Sequence, residues 1–294
     1  MEVLNYAQAY AQALAQAYPY VLHFAALRSA ENDARYKWTG ANTIQIASLT
    51  TSGRTDGDRD TIEHAKRNYA NAWEPKTLSN HRQWSTLVHP MDIDETNQVA
   101  SIQNITKVFN EEQKFPEMDA YLVSKIFADW SAAAGAPDKT VLTVENVLSV
   151  FDAFMENMDE ANVPTTGRLL YVTPAVKTLL KNAKEMARYI PNGDDNIRRA
   201  VASLDEVKIE SVPSALMKTV YDFTEGWVAG AGAKQINMLL IHPSAVITPE
   251  KYAFAQLDAP SAGFNGKYVY FEESYDDVFV LNKRKNAIMF NIEA

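Results

Sequence analysis

The feature that most limits the possible folds of this chain is a polar stretch from Thr51 to Ser79. It contains hardly any aliphatic residue, so it cannot supply much of a hydrophobic core. A compact domain rarely holds a polar connection of this length unless the connection is functional or disordered. In the preceding residues 42–50, Ile44 and Ile46 alternate with polar residues, a pattern typical of a half-buried strand. Residues 84–92 are predicted to form the strand that returns. The stretch is therefore predicted to be a loop that reaches out and contacts another molecule.

The charges in this stretch alternate in sign, so it is not a tail of one charge. Its aromatic residues, together with Trp84, offer anchors for docking on a second surface. The candidate contact residues are Arg54, Asp56, Asp58, Arg59, Asp60, Glu63, Lys66, Arg67 and Trp73.

Composition excludes several classes of protein. Without a single cysteine, the 294-residue chain has no disulfides, thiolate nucleophiles, iron–sulfur clusters or cysteine-based zinc sites. Its 28 Lys and Arg against 37 Asp and Glu, a net charge of −9, argue against a dedicated reader of nucleic acid. The same balance is compatible with a protein that lines a space containing DNA.

Targeting signals are missing as well. No run of apolar residues approaches the length of a membrane span, and the first residues lack the basic and apolar regions of a signal peptide. The sequence predicts a protein synthesised in a cytoplasm, with no membrane partner.

The N-terminal residues 3–18 are predicted to form an amphipathic helix that ends at Pro19. Its apolar stripe comprises Val3, Ala7, Tyr10, Leu14, Ala17 and, beyond the proline, Val21. Two interpretations remain open, a helix that lies on its own domain and a helix that docks on a neighbouring subunit.

The rest of the chain predicts an α+β protein. A long helical region follows residue 92, and Pro116 is predicted to kink or divide it. A helix capped by Thr143 is expected to stop at Asn162, and a strand at 168–172 leads into a helix capped by Thr173. Further strands are predicted at 207–212, 236–241, 268–271, 278–281 and 287–292.

Catalytic motifs are scarce. The five histidines form no metal-binding pair, and neither a nucleophile elbow nor a phosphate-binding loop is present in the sequence. Asp92, Asp94 and Glu95 have the spacing to ligate Ca²⁺ or Mg²⁺, which keeps a metal-dependent hydrolase as an alternative. The other interpretation is that these acids complement the start of a helix. We therefore predict no catalytic, cofactor or metal-binding residue.

Three segments resemble the major capsid proteins of tailed bacteriophages, whose fold is named after phage Hong Kong 97. The first is Phe115-Pro116-Glu117-Met118-Asp119-Ala120-Tyr121, similar to the Pro-Glu-x-Asp-Ala-Tyr segment on the long helix of many phage shell proteins. The second runs from Val163-Pro164 to Thr173-Pro174, and the third combines Val212-Pro213-Ser214, residues 236–246 and Lys251-Tyr252. The resemblance spans roughly residues 40–294 and depends on the number and order of the segments.

The resemblance implies a division of the chain into five parts. An N-terminal arm would occupy residues 1–40, an extended β-hairpin loop with flanking strands 41–90, and a peripheral domain with the long spine helix 91–139. An axial domain would occupy residues 140–240, and residues 241–294 would complete the peripheral domain with the C-terminal strands.

The resemblance also implies partners. Copies of the chain would form pentamers and hexamers, and then an icosahedral shell that contacts double-stranded DNA without sequence specificity in the virion of a tailed phage. Because Met1 stands directly before the arm, a separate scaffolding protein is expected, together with a portal. An alternative within the same fold is an encapsulin-like shell that encloses cargo enzymes.

Overall fold

The computed structural model describes residues 20–28, 35–54, 56, 67–95, 101–183 and 203–294. The strands are β1 (Tyr36–Trp38), β2 (Thr43–Thr51), β3 (Tyr69–Thr77), β4 (Asn80–Val88), β5 (Leu169–Val172), β6 (Ser203–Leu204), β7 (Val207–Ser211), β8 (Tyr221–Asp222), β9 (Val228–Ala229), β10 (Ile236–Ile241), β11 (Val246–Ile247), β12 (Glu250–Asp258), β13 (Tyr268–Asp276), β14 (Phe279–Val280) and β15 (Ile288–Ile292). The helices are α1 (Pro90–Glu95), α2 (Ile102–Phe109), α3 (Phe115–Ala132), α4 (Val147–Glu160) and α5 (Pro174–Asn182). This mixture confirms the predicted α+β class. The predicted helix over residues 3–18 lies outside the described residues.

A five-stranded sheet of order β15-β10-β5-β7-β6 forms the centre of the fold. Only β5 and β7 pair in parallel, and the other neighbours are antiparallel. Strand β10 is almost entirely buried, which explains why it appears in the sequence as a continuous apolar run instead of an alternating one.

Each face of this sheet packs against different helices. Leu170, Val172 and Leu240 face one way and join the apolar sides of α4 and α5. Tyr171 and Leu239 face the other way and join α3. The period-two alternation of strand side chains thus divides one sheet between two hydrophobic clusters.

The passage from α4 to β5 depends on a buried arginine. Asn162 has a left-handed backbone (φ 55°) that ends α4, as its sequence predicted. The Arg168 side chain is 0% exposed, and its guanidinium donates to the carbonyls of Val163 (2.7 Å) and Pro164 (3.0 Å) and to the Asp159 carboxylate (2.5 Å). Arg168 therefore stabilises the turn between α4 and β5 from the protein interior. This turn belongs to the second of the three segments that resemble capsid proteins.

The start of α4 differs from the expectation. Asn146 is the N-cap and Thr143 lies in the preceding turn. The Thr143 backbone N–H donates to the Asn146 side-chain oxygen (2.7 Å), and the Asn146 N–H donates to the Thr143 hydroxyl (3.3 Å). These reciprocal bonds close a turn and shift the first helical residue to Val147. The predicted Thr173 cap of α5 is confirmed, since its hydroxyl accepts from the Val176 N–H.

Two further sheets contain the long strands, β1-β2-β3 and β12-β13-β4. The prediction that residues 84–92 return the extended loop is wrong. Strand β3 returns beside β2, whereas residues 84–88 belong to β4, which pairs with β13. Because most β3 side chains are exposed, the strand shows no apolar alternation in the sequence. Strand β12 was not predicted for the same reason, since its side chains from Glu250 to Leu257 are all exposed.

Across the described ranges, every helix is too short or too polar to span a bilayer.

Candidate assembly surfaces

Strands β2 and β3 form a hairpin that projects beyond its own sheet. Their ladder runs from the pair Thr43–Thr77 to the pair Thr51–Tyr69. Strand β1 pairs only with Ile44–Ile46, so the outer half of β2 has β3 as its one strand neighbour within the described ranges. Leu49, Tyr69 and Trp73 are 58%, 53% and 51% exposed. Within the described residues, the two strands of the outer hairpin thus pair only with each other and carry exposed apolar side chains.

The base of the hairpin, in contrast, is fixed in the body of the chain. Ile44, Ile46 and Leu78 are buried in one cluster with Ile247 and Phe279. The Asn282 side-chain amide donates to the Glu74 carboxylate (2.7 Å), and the Lys283 ammonium donates to the Leu49 carbonyl. The direction in which the hairpin leaves the body is therefore set by packing at its base.

A fully buried carboxylate, Asp277, joins the hairpin base to the long helix. It accepts four hydrogen bonds, from the Ser79 N–H (2.7 Å) and hydroxyl (3.0 Å), the Tyr121 hydroxyl (2.9 Å) and the Val278 N–H (2.7 Å). Burial raises the pKa of Tyr121, and the charge of Asp277 raises it further. Because all four donors bind the same carboxylate, Asp277 fixes the β3–β4 connection and α3 in position next to the start of β14.

The Pro-Glu-x-Asp-Ala-Tyr segment has a structural explanation, since each of its polar side chains holds a different part of the chain. Glu117 accepts from the Arg82 guanidinium of β4 (2.6 Å). Asp119 accepts from the Tyr20 hydroxyl (2.7 Å), and Tyr121 binds Asp277 as described. The motif is therefore the site where α3 attaches to its surroundings.

Asp119 fixes the N-terminal segment 20–28 on α3. Besides the Tyr20 bond, its carboxylate accepts from the His23 backbone N–H (2.9 Å), and Phe24 is buried against the Tyr171 ring (4.6 Å between centroids). Burial raises the pKa of Asp119, although the bonds from Tyr20 and His23 act in the opposite direction. Burial and the Asp119 carboxylate both raise the pKa of the Tyr20 hydroxyl.

Helix α2, the π-helical turn Asn110–Lys114 and α3 form one helical run, here called the spine helix. The Phe115 N–H donates to the Asn110 carbonyl five residues earlier, and Pro116, which lacks an N–H, lies in the next turn. The irregular turn thus lies where the sequence predicted a kink. The kink at Pro116 itself stays a prediction.

The predicted contact residues fall into two groups. Arg54 and Asp56 are exposed beyond β2, the guanidinium of Arg67 lies 4.8 Å above the Tyr69 ring, and Trp73 faces outward on β3. The other predicted residues lie outside the described residues, and they are Asp58, Arg59, Asp60, Glu63 and Lys66.

The acids considered as a metal site are on α1. Asp92 lies in the first turn of this short helix, where an acid complements the helix N-terminus, and Asp92 and Asp94 are exposed. Among the residues that the structure describes, no group of three or more His, Cys, Asp or Glu side chains could hold a metal ion.

A cleft of about 920 Å³ lies between the spine helix and the β12-β13-β4 sheet. Trp84 of β4 stacks on Phe109 (3.8 Å between centroids, 8° between planes), and Lys114 pairs with Glu272 of β13 (3.1 Å). These contacts hold two of the three strands against the helix. The sequence does not reveal the cleft, because the residues that line it come from six separate segments of the chain.

At one end of the cleft, half-buried Asp276 lies next to the Asp277 junction. The Asn80 side-chain amide donates to its carboxylate (3.0 Å). Burial raises the pKa of Asp276 to about 6, against the lowering effects of the Arg28 charge and the Asn80 bond, while Glu250 and Asp277 raise it. Asp276 therefore carries a charge at neutral pH that its surroundings disfavour.

We expect Asp276 to make the chain less stable at pH 7.5 than at pH 5. A carboxyl whose pKa is raised on folding contributes stability that is complete below its ordinary pKa of 3.8 and is lost as pH rises through about 6. The Asp276→Asn variant, which keeps the oxygen that Asn80 binds, is expected to gain about 1–2 kcal/mol at pH 7.5 and roughly a third of that at pH 4.5.

Urea unfolding at the two pH values checks this expectation, with Asp94→Asn on the exposed α1 as the control. A difference between the Asp276 variant and the parent chain that stays constant with pH would contradict it.

Comparisons with known proteins extend these observations. No family model matches the sequence, and no curated protein sequence is significantly similar to it. Solved structures, however, are similar over most of the chain. A chain of the bacteriophage PhiM1 mature capsid superposes with a TM-score of 0.68 at 14% identity, covering 93% of this chain and 87% of the other.

Two more capsids agree. The cyanophage P-SCSP1u capsid gives a TM-score of 0.62 at 13% identity, with 95% and 90% covered. The Ralstonia phage GP4 capsid gives a TM-score of 0.56 at 11% identity, covering 90% of this chain and 86% of the other. The chain therefore has the α+β fold of tailed-phage capsid proteins, the Hong Kong 97-like fold that its sequence resembles.

Proposed function

We propose that this chain is a major capsid protein, which self-assembles through pentamers and hexamers into the icosahedral shell around the double-stranded DNA of a tailed phage. The observation that carries the proposal is the combination of the capsid fold with a hairpin whose outer half, among the described residues, has no third strand beside it. A two-stranded ribbon is at best marginally stable alone in water, so it is expected to lie on another surface. A neighbouring subunit supplies that surface.

The hairpin contacts are proposed at the residues named from the sequence, from Arg54 to Trp73. Side chains of both signs pair with a mixed surface on the neighbour, and Trp73 docks beside them. An exposed ion pair contributes about 0–1 kcal/mol, so stability arises from many such contacts repeated by symmetry.

The domain division also remains a proposal. It assigns residues 1–40 to the arm, 41–90 to the extended loop with its strands, 91–139 and 241–294 to the peripheral domain, and 140–240 to the axial domain. Strands β5, β6, β7 and most of β10, together with helices α4 and α5, would then belong to the axial domain. Strand β15, which pairs with β10 in the same sheet, and the spine helix would belong to the peripheral domain. A kink at Pro116 would set the angle between the halves of the spine helix.

In this role the chain acts by assembly and performs no catalysis. Its partners are copies of itself, a separate scaffolding protein and a portal. It is synthesised in the cytoplasm of a bacterial host and ends in the virion. The net charge of −9 suits a container that holds DNA by geometry, because strong attraction would hinder packaging and release.

Light scattering and negative-stain electron microscopy of the purified chain, alone and co-expressed with its genomic neighbours, test the proposal. We expect rings, tubes or closed particles of uniform diameter. A small oligomer under every condition would contradict the proposal. Particles that enclose a cargo enzyme in place of DNA would replace the phage capsid with an encapsulin-like shell.

A further inference from the structure

Strand β12 is an edge strand of its sheet. In the order β12-β13-β4, it pairs with β13 on one side, and no strand of the described ranges lies on its other side. Its side chains from Glu250 to Leu257 are exposed, so the described part of the chain leaves the strand accessible. An edge of this kind presents backbone N–H and C=O groups to which another strand can bind.

The middle of β12 lacks the features that usually prevent such pairing. Natural edge strands are protected by charged side chains, by proline or by bulges. Residues 252–256 have the sequence Tyr-Ala-Phe-Ala-Gln, without a charge or a proline. The bulge in the ladder with β13 lies at the start of the strand, between Glu250 and Tyr252. The edge of β12 is therefore expected to accept a strand from another molecule.

Strand β3 of the hairpin has an edge of the same kind. It pairs with β2 on one side, and the described ranges provide no strand on its other side. Residues 69–73 have the sequence Tyr-Ala-Asn-Ala-Trp, and all five are exposed and uncharged. Larger side chains and alanines alternate in this segment as they do in residues 252–256 of β12. The two strands therefore have matching patterns along their edges.

One antiparallel register of these two segments aligns the patterns. It places Ala72 opposite Ala253 and Ala70 opposite Ala255. Residues that lie opposite each other in a ladder point to the same face, so the larger side chains of both segments then lie together on the other face. In this register Trp73 lies opposite an aromatic residue of β12, and such cross-strand pairs stabilise a sheet.

Charges at the two ends favour this register over its neighbours. Arg67 then lies opposite Asp258, and Glu74 lies next to Lys251 in the bulge. Opposite charges on facing strands stabilise pairing. A shift of two residues in either direction keeps one alanine pair and loses both charge pairs. The Lys251 ammonium lies over the Trp38 ring of its own chain (4.6 Å to the centroid), which fixes this charge near the start of β12.

We propose that β3 of one copy pairs antiparallel with the edge of β12 in a neighbouring copy, in this register, so that their two three-stranded sheets become one. Among the described residues of one chain, β3 pairs only with β2 and β12 only with β13, so the partner is a second copy. Each copy offers one edge and accepts another, and such contacts continue around a ring. The inference rests on the proposed function, since it names the surface on which the hairpin lies.

Disulfide bridging between copies tests the pairing, because the sequence contains no cysteine. Two full-length variants each carry one thiol on β3 and one on β12, namely Ala72→Cys with Ala253→Cys and Asn71→Cys with Phe254→Cys. Successive opposite pairs of an antiparallel ladder alternate between wide and close spacing, so one variant holds its thiols at the close spacing, about 4.5 Å between Cα atoms. We expect that variant to give a ladder of linked chains on a non-reducing gel after mild oxidation.

Two controls make the test specific to face and register. Asn71→Cys with Ala253→Cys places the thiols on opposite faces of the joint sheet, and we expect bridging slower by on the order of tenfold. In whichever of the two test variants bridges faster, Arg67→Glu places an acid opposite Asp258 and is expected to slow bridging about two- to fivefold. Adding Asp258→Lys should restore the rate.

Electron microscopy of the same samples separates this inference from the proposed function. Uniform particles without a ladder from either test variant, with thiols that react after denaturation, would overturn the strand pairing alone. A small oligomer from the parent chain under every condition, again without a ladder, would contradict both. Linked dimers from Ala253→Cys alone would show that β12 pairs with itself, and a faster-migrating monomer would place the pairing within one chain. Equal rates before and after the charge exchange would overturn the register.

Discussion

A chain in which residues 50–70 are removed and Leu49 is joined to Asn71 by Asn-Gly is expected to fold normally and to form no closed shell. Leu49 and Asn71 are paired across the hairpin, so a two-residue turn can connect them without a change of register. The buried cluster of Ile44, Ile46 and Leu78 and the Asn282–Glu74 bond are retained. Subunit stability should change by less than about 1 kcal/mol.

Shell formation is expected to be lost because the removed residues include the end of the hairpin, with Arg54, Asp56, Arg67 and Tyr69. Sedimentation and electron microscopy measure assembly, and urea unfolding measures the subunit. The point variant Trp73→Ala should weaken shells without destabilising the subunit, whereas Val141→Ala, exposed elsewhere, should do neither. Normal shells from the shortened chain would refute the assignment of the hairpin as an assembly contact.

The second large effect is expected at the buried carboxylate below the hairpin. Asp277→Ala should lower the free energy of unfolding by roughly 3–5 kcal/mol, because it leaves the N–H groups of Ser79 and Val278 and the Tyr121 hydroxyl without an acceptor. Since Asp277 joins α3 to the base of the hairpin, the variant should also lose assembly.

Neighbouring substitutions make this expectation specific. Asp277→Asn should destabilise as well, because its amide N–H₂ would face the Ser79 donors, whereas Asp276→Asn at the adjacent position should stabilise at pH 7.5. If Asp277→Ala does not fold, Tyr121→Phe, which removes one of the four bonds, should still cost about 1 kcal/mol. Unchanged unfolding of Tyr121→Phe and Asp277→Asn would contradict the role of this junction.

The sequence by itself determined the elements whose burial follows a regular period. Strand β10 was visible as an apolar run, and α5 was visible from its Thr173 cap and Pro174, because these signals are local. The resemblance segments also identified the fold that the capsid comparisons confirm.

Only the tertiary structure decided which strand closes the hairpin and what the polar residues of the spine helix do. Strands β3 and β12 escaped prediction because exposed strands carry no burial pattern in the sequence. Asp277 and Ser79 stand 198 positions apart, and Asp119 is separated from Tyr20 by 99. Contacts at such separations arise when the fold brings distant segments together, so periodicity, which reports on neighbours along the chain, does not reveal them.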